Sequence, residues 1–389
     1  MAKQAEHSGS AAPRRWAANR MGVDYRAEAA RLGLPPRPII DVHTHVNGAR
    51  AAEIYREVMD VYGVERTYSQ TQIAQAPDVV RALGDRVRFI AIPEYMQPDG
   101  GRAFREGFLE NLDRWHDEFG ARCVKLWNAP RWRDLARSFP DPDSMLELDS
   151  PWRIKIAERA VELGMMFMTH IADPDTWFAT KYADASLYLE KREHYAPLER
   201  MLDRFPVPWI AAHMGGTPED LGFLTGLMER HDNLLLDTSA TKWMVRELSK
   251  HPRDELLMFL ERFRGRVLFG SDIVTLEDHL TPSDPAEKRF GAQLAESEED
   301  AFELYAGRYW ALRTMWETGY KGESNIADPD LMMIDPDHCD EMSAPALTGR
   351  SLPPELLDML YRGASEATIE SWYDTGTIRR GLDAAAGPG

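Results

Sequence analysis

The stretch PIIDVHTHVNGAR (38–50) runs from apolar residues directly into two histidines, His43 and His45. Its apolar run predicts a β-strand, and side chains two residues apart in a strand point to the same face. We therefore expect Asp41, His43 and His45 to project together where the strand ends. Two crowded imidazoles repel each other when protonated, so a bound cation that holds them neutral and oriented accounts for the pair. The alternative is a polar strand end that enters a loop.

The rest of the chain alternates short apolar, β-rich runs with longer amphipathic stretches. Including the first, the runs are PIIDVHTH (38–45), GVERTYSQ (63–70), RVRFIAIP (86–93), ARCVKLWN (121–128), GMMFMTHI (164–171), PWIAAHMGG (208–216), NLLLDTS (233–239) and RVLFGSDI (266–273). Eight strands alternating with helices are typical of a (β/α)8 barrel. An open doubly wound sheet is the alternative, but the chain lacks a glycine-rich dinucleotide-binding turn. The fold class that we predict is α/β, a TIM barrel.

Amphipathic patterns between the runs predict helices, the clearest being 52–63, 104–120 and 151–164. Several of them end in glycine, the usual left-handed stop after a helix, and Pro151 stands where a first-turn proline is tolerated. The string IADPD occurs at 171–175 and again at 326–330. In each copy we predict a turn whose aspartate caps a following helix.

We predict three parts along the chain. Residues 1–35 form a polar N-terminal extension, 36–276 together with 350–375 form a metal-dependent barrel, and 277–349 form an insertion of helix and loop. The insertion includes one predicted helix at 298–319 and a stretch rich in proline and aspartate.

The composition restricts the kind of protein and its partners. At 43% hydrophobic residues, the 389-residue chain can bury a large core, and no apolar run is long enough to span a membrane. The N-terminus lacks the apolar stretch of a secretion signal, and the two cysteines, Cys123 and Cys339, form no disulfide framework, so we expect a cytoplasmic protein. A net charge of −18 argues against nucleic acids and anionic membranes as partners but permits a small anionic substrate.

Polar residues that can bind a metal lie where the predicted strands end. These positions are His43 and His45 after the first run, His170 after the fifth, His213 after the sixth and Asp272 after the eighth. In a barrel of parallel strands these ends meet at one mouth, where active sites of this fold are built. Imidazoles plus a carboxylate suit one divalent ion, zinc in the first place, with manganese, iron or cobalt as alternatives. Asp272 could also take a proton from a metal-activated water, and His213 could orient that water or protonate the leaving group.

The chain resembles the amidohydrolase superfamily, in particular the branch that includes aminocarboxymuconate semialdehyde decarboxylase and resorcylate-type decarboxylases. The motifs that carry the resemblance are DVHTH (41–45), FMTH (167–170), AAHMGG (211–216), LLLDTS (235–239) and LFGSD (268–272). The resemblance implies a barrel in which His43, His45, His170 and Asp272 bind the metal, while His213 acts in catalysis. It also implies a homodimer.

Lys125 ends the fourth run, where binuclear members of the superfamily place a carbamylated lysine between two metal ions. It is therefore a candidate for a second metal site. The alternatives are a contact with a substrate carboxylate, a salt bridge, or a position on the opposite face of the strand.

The loops after the fourth and fifth runs are rich in aromatic and basic residues. We predict that Trp127, Arg131, Trp177 and Lys181 bind substrate, with Trp132, Arg133, Phe178, Tyr182 and Tyr188 nearby. Aromatic rings with a few cations suit a planar, anionic organic molecule. Plain packing or a dimer interface is the alternative.

Three functions remain open at this point. The first is hydrolysis of an amide, ester or lactone by a metal-activated water, and the second is non-oxidative decarboxylation of an aromatic or muconate-like acid. The third is a barrel that binds a metal or ligand without turnover. Convergence of Arg131, Arg133 and Lys181 on the metal would favour decarboxylation, whereas a neutral cavity would favour hydrolysis.

Overall fold

The structure, a computed structural model, describes residues 15–96, 100–282 and 294–379, so parts of the predicted extension and insertion lie outside the described residues. The strands are β1 (Ile39–Val46), β2 (Val64–Ser69), β3 (Val87–Phe89), β4 (Cys123–Trp127), β5 (Met166–His170), β6 (Trp209–Ala211), β7 (Leu234–Asp237), β8 (Val267–Leu268), β9 (Ile273–Thr275), β10 (Lys321–Glu323) and β11 (Ala346–Thr348).

The helices surround these strands. They are α1 (Tyr25–Leu32), α2 (Ala49–Tyr62), α3 (Ala76–Leu83), α4 (Gly100–Ala103), α5 (Glu106–Phe119), α6 (Trp132–Arg137), α7 (Pro151–Glu162), α8 (Asp175–Phe178), α9 (Ala185–Tyr188), α10 (Tyr195–Arg204), α11 (Ala212–Gly215), α12 (Leu221–Arg230), α13 (Thr241–Leu248), α14 (Arg253–Arg262), α15 (Glu298–Glu317), α16 (Pro329–Ile334), α17 (Pro354–Asp358) and α18 (Ser371–Thr375). Within the described ranges, no helix has both the length and the apolar character needed to cross a membrane.

The strands before α15 run parallel in two sheets, ordered β3-β2-β1-β9 and β4-β5-β6-β7-β8. Backbone hydrogen bonds join the two sheets at both seams. At one seam the amide of Lys125 donates to the Ala91 carbonyl over 2.9 Å, and at the other the amide of Val42 donates to the Phe269 carbonyl over 2.9 Å. The strands therefore form the ring of a (β/α)8 barrel, as the sequence predicts.

The interior of the ring is filled by one apolar cluster. Its members from the strands and their ends are Ile40, Val42, Tyr68, Ile90, Cys123, Met166, Met168, Ile210, Ala212, Leu235 and Leu268. Ala364 and Ile369 of the C-terminal helical segment join this cluster, and Tyr373 donates a hydrogen bond to the Phe89 carbonyl (2.6 Å). The C-terminal segment therefore closes the end of the barrel opposite the strand carboxyl ends.

Helix α15, which falls inside the predicted insertion, packs against α2, α13 and β9. Tyr309 of α15 shares a 2.7 Å hydrogen bond with Tyr55 of α2, and both side chains are buried. This helix therefore belongs to the wall of the barrel. The division of the chain into extension, barrel and insertion stays a prediction.

Several element boundaries agree with the sequence and others differ. Helices α2 and α5 end at Gly63 and Gly120, both left-handed, and α7 begins at Pro151, as predicted. The eighth predicted run is interrupted between β8 and β9, where Asp272 has a φ of 60°. The sixth run is a strand only over Trp209–Ala211, because the chain then turns through left-handed residues.

Candidate metal centre

Three of the predicted ligands meet at the mouth of the barrel. Nε2 of His45 lies 3.2 Å from Oδ1 of Asp272, and Nε2 of His43 lies 3.5 Å from the same oxygen. His43 is 1% exposed, whereas His45 and Asp272 are 31% and 29% exposed, so the group has one open side. Ligands at about 2.05 Å around a tetrahedral ion stand about 3.3 Å apart, which matches both distances.

Asp41 does not join this group, so the expectation that it projects beside the two histidines is wrong. The pairing of β1 with β2 shifts register between Asp41 and Thr44, which leaves His43 and His45 facing the mouth and turns Asp41 outward. Oδ2 of Asp41 accepts a hydrogen bond from Tyr309 (2.8 Å), and Oδ1 accepts from the backbone amides of His43 and Ser271 (both 3.1 Å). Asp41 therefore ties the segment carrying Asp272 to β1.

The orientation of His43 is fixed by Asp237, at the end of β7. Nδ1 of His43 donates to Oδ2 of Asp237 over 2.9 Å, so its Nε2 carries the lone pair. Nε2 is buried and has no hydrogen-bond partner among the described residues. A buried imidazole nitrogen without a partner, held by a carboxylate behind it, fits a metal ligand with its supporting residue.

A second group of possible ligands, His43, His213 and Asp237, is better explained as this support. Oδ1 of Asp237 accepts from the backbone amides of His213 (2.8 Å) and Ser239 (3.0 Å) and from the Ser239 hydroxyl, while Oδ2 accepts from His43. Both carboxylate oxygens of Asp237 therefore already accept hydrogen bonds from groups of the protein.

Ser239 extends the influence of Asp237 to His213. Its hydroxyl donates to Asp237, and its oxygen lies 2.8 Å from Nδ1 of His213. Because the only hydroxyl proton is directed to the carboxylate, Ser239 accepts the Nδ1 proton of His213. Nε2 of His213 then carries a lone pair, as Nε2 of His43 does.

His170 lies beside His213, with their ring centroids 4.5 Å apart. Its Nε2 is 2.7 Å from Asp173, whose other oxygen accepts a hydrogen bond from Tyr182 (2.7 Å). Nδ1 is therefore the ring nitrogen of His170 that remains for a metal. Asp173 belongs to the first IADPD copy, so its role differs from the predicted helix cap, whereas Asp328 of the second copy does cap α16.

The backbone at these residues is constrained. His213, Met214 and Asp272 all have positive φ, between 52° and 60°, which costs about 1–3 kcal/mol for each such residue. Gly216 follows with φ 72°, and a Cβ there would come within 1.9 Å of the Ala172 carbonyl oxygen. The AAHMGG motif therefore holds His213 in a turn that needs glycine at position 216, because any side chain there would collide with the backbone that follows β5.

The protonation states are set by burial and by neighbouring charge. Burial, followed by the charge of Lys125, lowers the pKa of His43, and burial, followed by the charge of His170, holds the pKa of His213 well below its usual value. Burial alone would raise the pKa of Asp272, but the hydrogen bond from His45 and the nearby imidazoles hold it well below its usual value. At neutral pH Asp272 is a carboxylate and the two buried histidines are neutral.

Lys125 points into the barrel rather than to the outer face of β4. It is 3% exposed and makes no hydrogen bond or ion pair with the described residues. Burial lowers its pKa to about 8, although the charges of Asp237 and Asp272 oppose this effect. The ammonium group therefore faces the same region as the candidate ligands.

Two tryptophans form an aromatic wall beside the histidines. The Trp243 ring lies 5.6 Å from that of His213 and 5.7 Å from that of Trp177. Both indole N–H groups donate to Oδ2 of Asp330, over 2.7 Å from Trp177 and 2.9 Å from Trp243. The predicted substrate residue Trp177 is thus near the site, and Nζ of Lys181 lies 3.6 Å above its ring.

The other predicted substrate residues have different surroundings. The Trp127 ring contacts Tyr95 and Trp132, and Arg131 is exposed. Arg133 is paired with Glu147 and donates to the Leu187 carbonyl (3.0 Å). Arg131, Arg133 and Lys181, whose convergence on the metal would favour decarboxylation, therefore do not form a cluster at the metal centre.

Sequence reasoning assigned no role to Asp237, Ser239 or Trp243, and it assigned to the first IADPD copy, which contains Asp173, only a helix cap. A signal existed for the first two, since LLLDTS ends at the same rim as the histidines. Trp243 lies in α13 and Asp173 in the loop after β5, and only the tertiary structure shows what these two side chains contact.

A parallel barrel with histidines and a carboxylate at the carboxyl ends of its strands defines a metal-dependent enzyme of the TIM-barrel class. A family model described as amidohydrolase matches residues 40–303, more than half of the chain. The chain belongs to the amidohydrolase family, whose members are metal-dependent hydrolases or decarboxylases. No curated protein matches the chain in sequence.

Among solved structures, the chain is similar to 5-carboxyvanillate decarboxylase from Novosphingobium aromaticivorans, with bound manganese and 4-hydroxy-3-methoxy-5-nitrobenzoic acid. That similarity has 11% identity, a TM-score of 0.41, and covers 89% of this chain and 97% of the other. An amidohydrolase from Burkholderia multivorans with bound zinc has 12% identity and a TM-score of 0.37, covering 71% and 92%. Both similarities are distant, and the family assignment rests on the sequence match alone.

Proposed function

We propose that the chain is a metal-dependent hydrolase that cleaves an amide, ester or lactone bond in a small organic substrate. The observation that carries the proposal is the arrangement of Asp272 and His213. Asp272 is a carboxylate beside His45, and His213 donates its only ring proton to Ser239, so both present acceptor atoms to the mouth. Such a site takes up a proton from a nucleophile, as hydrolysis requires, more readily than it supplies one.

The residues proposed to hold the metal are His43, His45 and Asp272, with His170 as a fourth ligand through Nδ1. Nitrogen and oxygen donors in this combination suit zinc first and manganese second. When bound, the divalent ion lowers the pKa of a water molecule and polarises a carbonyl oxygen of the substrate.

The chain's own groups would move the proton and orient the substrate. A carboxylate oxygen of Asp272 accepts a proton from the attacking water, and Nε2 of His213 accepts a hydrogen bond that fixes the water's direction. The proton that Asp272 gains can then reach the leaving group. Trp243 and Trp177 would lie against an organic substrate and exclude solvent from one side.

Decarboxylation is a second candidate because of Lys125. This buried lysine has no partner among the described residues and is protonated near neutral pH. A substrate carboxylate placed against it, or a proton delivered from it to a ring carbon, would suit a carboxy-lyase.

The test is a paired assay of the zinc-loaded and manganese-loaded protein. Lactones, esters and amides are followed by acid release in a pH-stat, and hydroxylated aromatic acids by CO2 release. Asp272→Asn should abolish turnover and keep the fold, because asparagine tolerates the left-handed backbone found at this position. The exposed Asp78→Asn is the matched control and should retain wild-type rates.

Wild-type rates in Asp272→Asn would refute the proposed role of Asp272 as the proton acceptor. CO2 release without any hydrolysis would replace the first candidate with the second. The homodimer, the cytoplasmic location and the absence of nucleic-acid partners stay predictions.

A further inference from the structure

Besides Lys125, two further cations near the metal centre have no partner among the described residues. Lys242 is the second residue of α13, and Arg308 lies in the middle of α15. Both residues are only partly exposed, yet neither side chain makes a hydrogen bond or an ion pair there. Burying an unpaired charge is costly unless something supplies the opposite charge.

The position of Arg308 follows from its helix. Tyr305, Arg308 and Tyr309 lie on one face of α15, because residues three and four apart in a helix are neighbours. Tyr309 donates to Asp41 beneath the metal centre (2.8 Å), and Tyr305 is 2.9 Å from Nδ1 of His279 after β9. Arg308 therefore lies on the side of α15 that faces β1 and β9, and the Asp272 carboxylate acts on its charge.

The position of Lys242 follows from its neighbours in sequence. Thr241 donates to the Ser271 carbonyl (2.8 Å), one residue before Asp272. Trp243 packs against His213 and His170, with ring centroids 5.6 and 6.2 Å away. Lys242 therefore stands between the segment that carries Asp272 and the aromatic wall.

The two cations repel each other, and burial followed by the charge of Arg308 lowers the pKa of Lys242 to about 8. The carboxylates that act on them are already engaged. Asp328 binds Arg246, Asp330 binds Arg246 and both tryptophans, and Asp272 binds His45. A divalent ion at the metal centre would add two more positive charges beside this pair.

We propose that Lys242 and Arg308 form a subsite for a carboxylate group of the substrate, next to the aromatic wall. A guanidinium fork and an ammonium group match the two oxygens of a carboxylate, and the tryptophans suit the planar organic group that carries it. The subsite rests on the proposed function, since it assigns the charge of the substrate that the same mouth would bind. It also gives α15 a part in substrate selection.

The test compares 4-fluorobenzoate with the neutral 4-fluorobenzamide, using ¹⁹F NMR titrations of the full chain. The metal-free protein is used first, so that a carboxylate bound directly to the metal is not counted, and the zinc-loaded protein second. Wild type should prefer benzoate by about tenfold or more, since the anion gains charge-assisted hydrogen bonds that the amide lacks. Arg308→Gln and Lys242→Gln should each lose most of this preference, and the double variant all of it.

The controls separate charge from structure. Arg308→Lys should keep part of the preference, and the exposed Arg81→Gln should keep all of it. Circular dichroism checks that each variant is folded. If Arg308→Gln unfolds, the subsite is still tested by Lys242→Gln and by the two wild-type titrations.

Equal wild-type affinity for benzoate and benzamide would overturn the subsite. So would an unchanged preference in folded Lys242→Gln. Inorganic phosphate that displaces benzoate at equal concentration would overturn the assignment to organic carboxylates. Failure of the turnover assay together with a retained preference in metal-free protein would reject the proposed function and leave the subsite standing.

Discussion

Replacing Asp237 by asparagine tests how the metal centre is oriented. Oδ1 of an asparagine can still accept from the amides of His213 and Ser239, but its NH2 group would face Nδ1 of His43. Two donors cannot share that contact, so the ring proton of His43 moves to Nε2, the atom that faces Asp272. His43 can then bind a metal through Nε2 only after its proton returns to Nδ1, and this change of tautomer costs free energy.

The expected loss of metal affinity is about 10–100-fold, the usual effect of removing a group that orients a ligand. This loss corresponds to about 1.4–2.7 kcal/mol. The metal-free protein should also lose about 2 kcal/mol of unfolding free energy at neutral pH, because a hydrogen bond to a buried charge contributes about 1.5–3 kcal/mol.

The pH dependence of folding stability provides an independent test of the role of Asp237. Burial would raise the pKa of Asp237, but the electrostatic attraction and the hydrogen bond between its carboxylate and the His43 imidazole outweigh burial and hold the pKa below its usual value. The carboxylate therefore stabilises the fold fully above its unfolded pKa of about 3.9 and loses this contribution as the pH falls toward the lower folded-state pKa. The difference in stability between wild type and Asp237→Asn should shrink below about pH 4.

Zinc affinity is measured by competition with a chromogenic chelator, and stability by urea unfolding of metal-free protein from pH 7 to pH 3. Asp78→Asn, on the surface, should match wild type in both measurements. A folded Asp237→Asn protein with wild-type zinc affinity would refute the assignment of Asp237 as the residue that orients His43.

Two further predictions concern the ligands and the core. His45→Ala should lower the zinc content per chain, measured by elemental analysis after dialysis, because it removes a nitrogen 3.2 Å from Asp272; unchanged stoichiometry would contradict the site. Trp209→Ala should lower the unfolding free energy by about 3–5 kcal/mol, measured by urea titration, since the ring is fully buried and stacks 4.2 Å from Phe167. A loss below about 1 kcal/mol would mean that the barrel wall relaxes around the cavity.

The amino-acid sequence by itself determined the alternation of strands and helices, because hydrophobic period and helix stops are local properties. It also determined which residues stand at the carboxyl ends of strands, and so which histidines and which aspartate share the mouth. His43, His45 and Asp272 meet as this logic requires, and His213 and His170 lie beside them.

Only the tertiary structure decided which side chains face each other across strands. Asp41 turned outward because the register of β1 shifts, which a strict period of two cannot show. Asp237 and Ser239, at the end of β7, hold His43 and His213, which lie more than twenty residues away in the sequence. Helix α15 brings Arg308 near Asp272, and α13 brings Lys242 near Arg308. Such contacts depend on how the ring closes, and ring closure is a property of long-range packing that no single segment encodes.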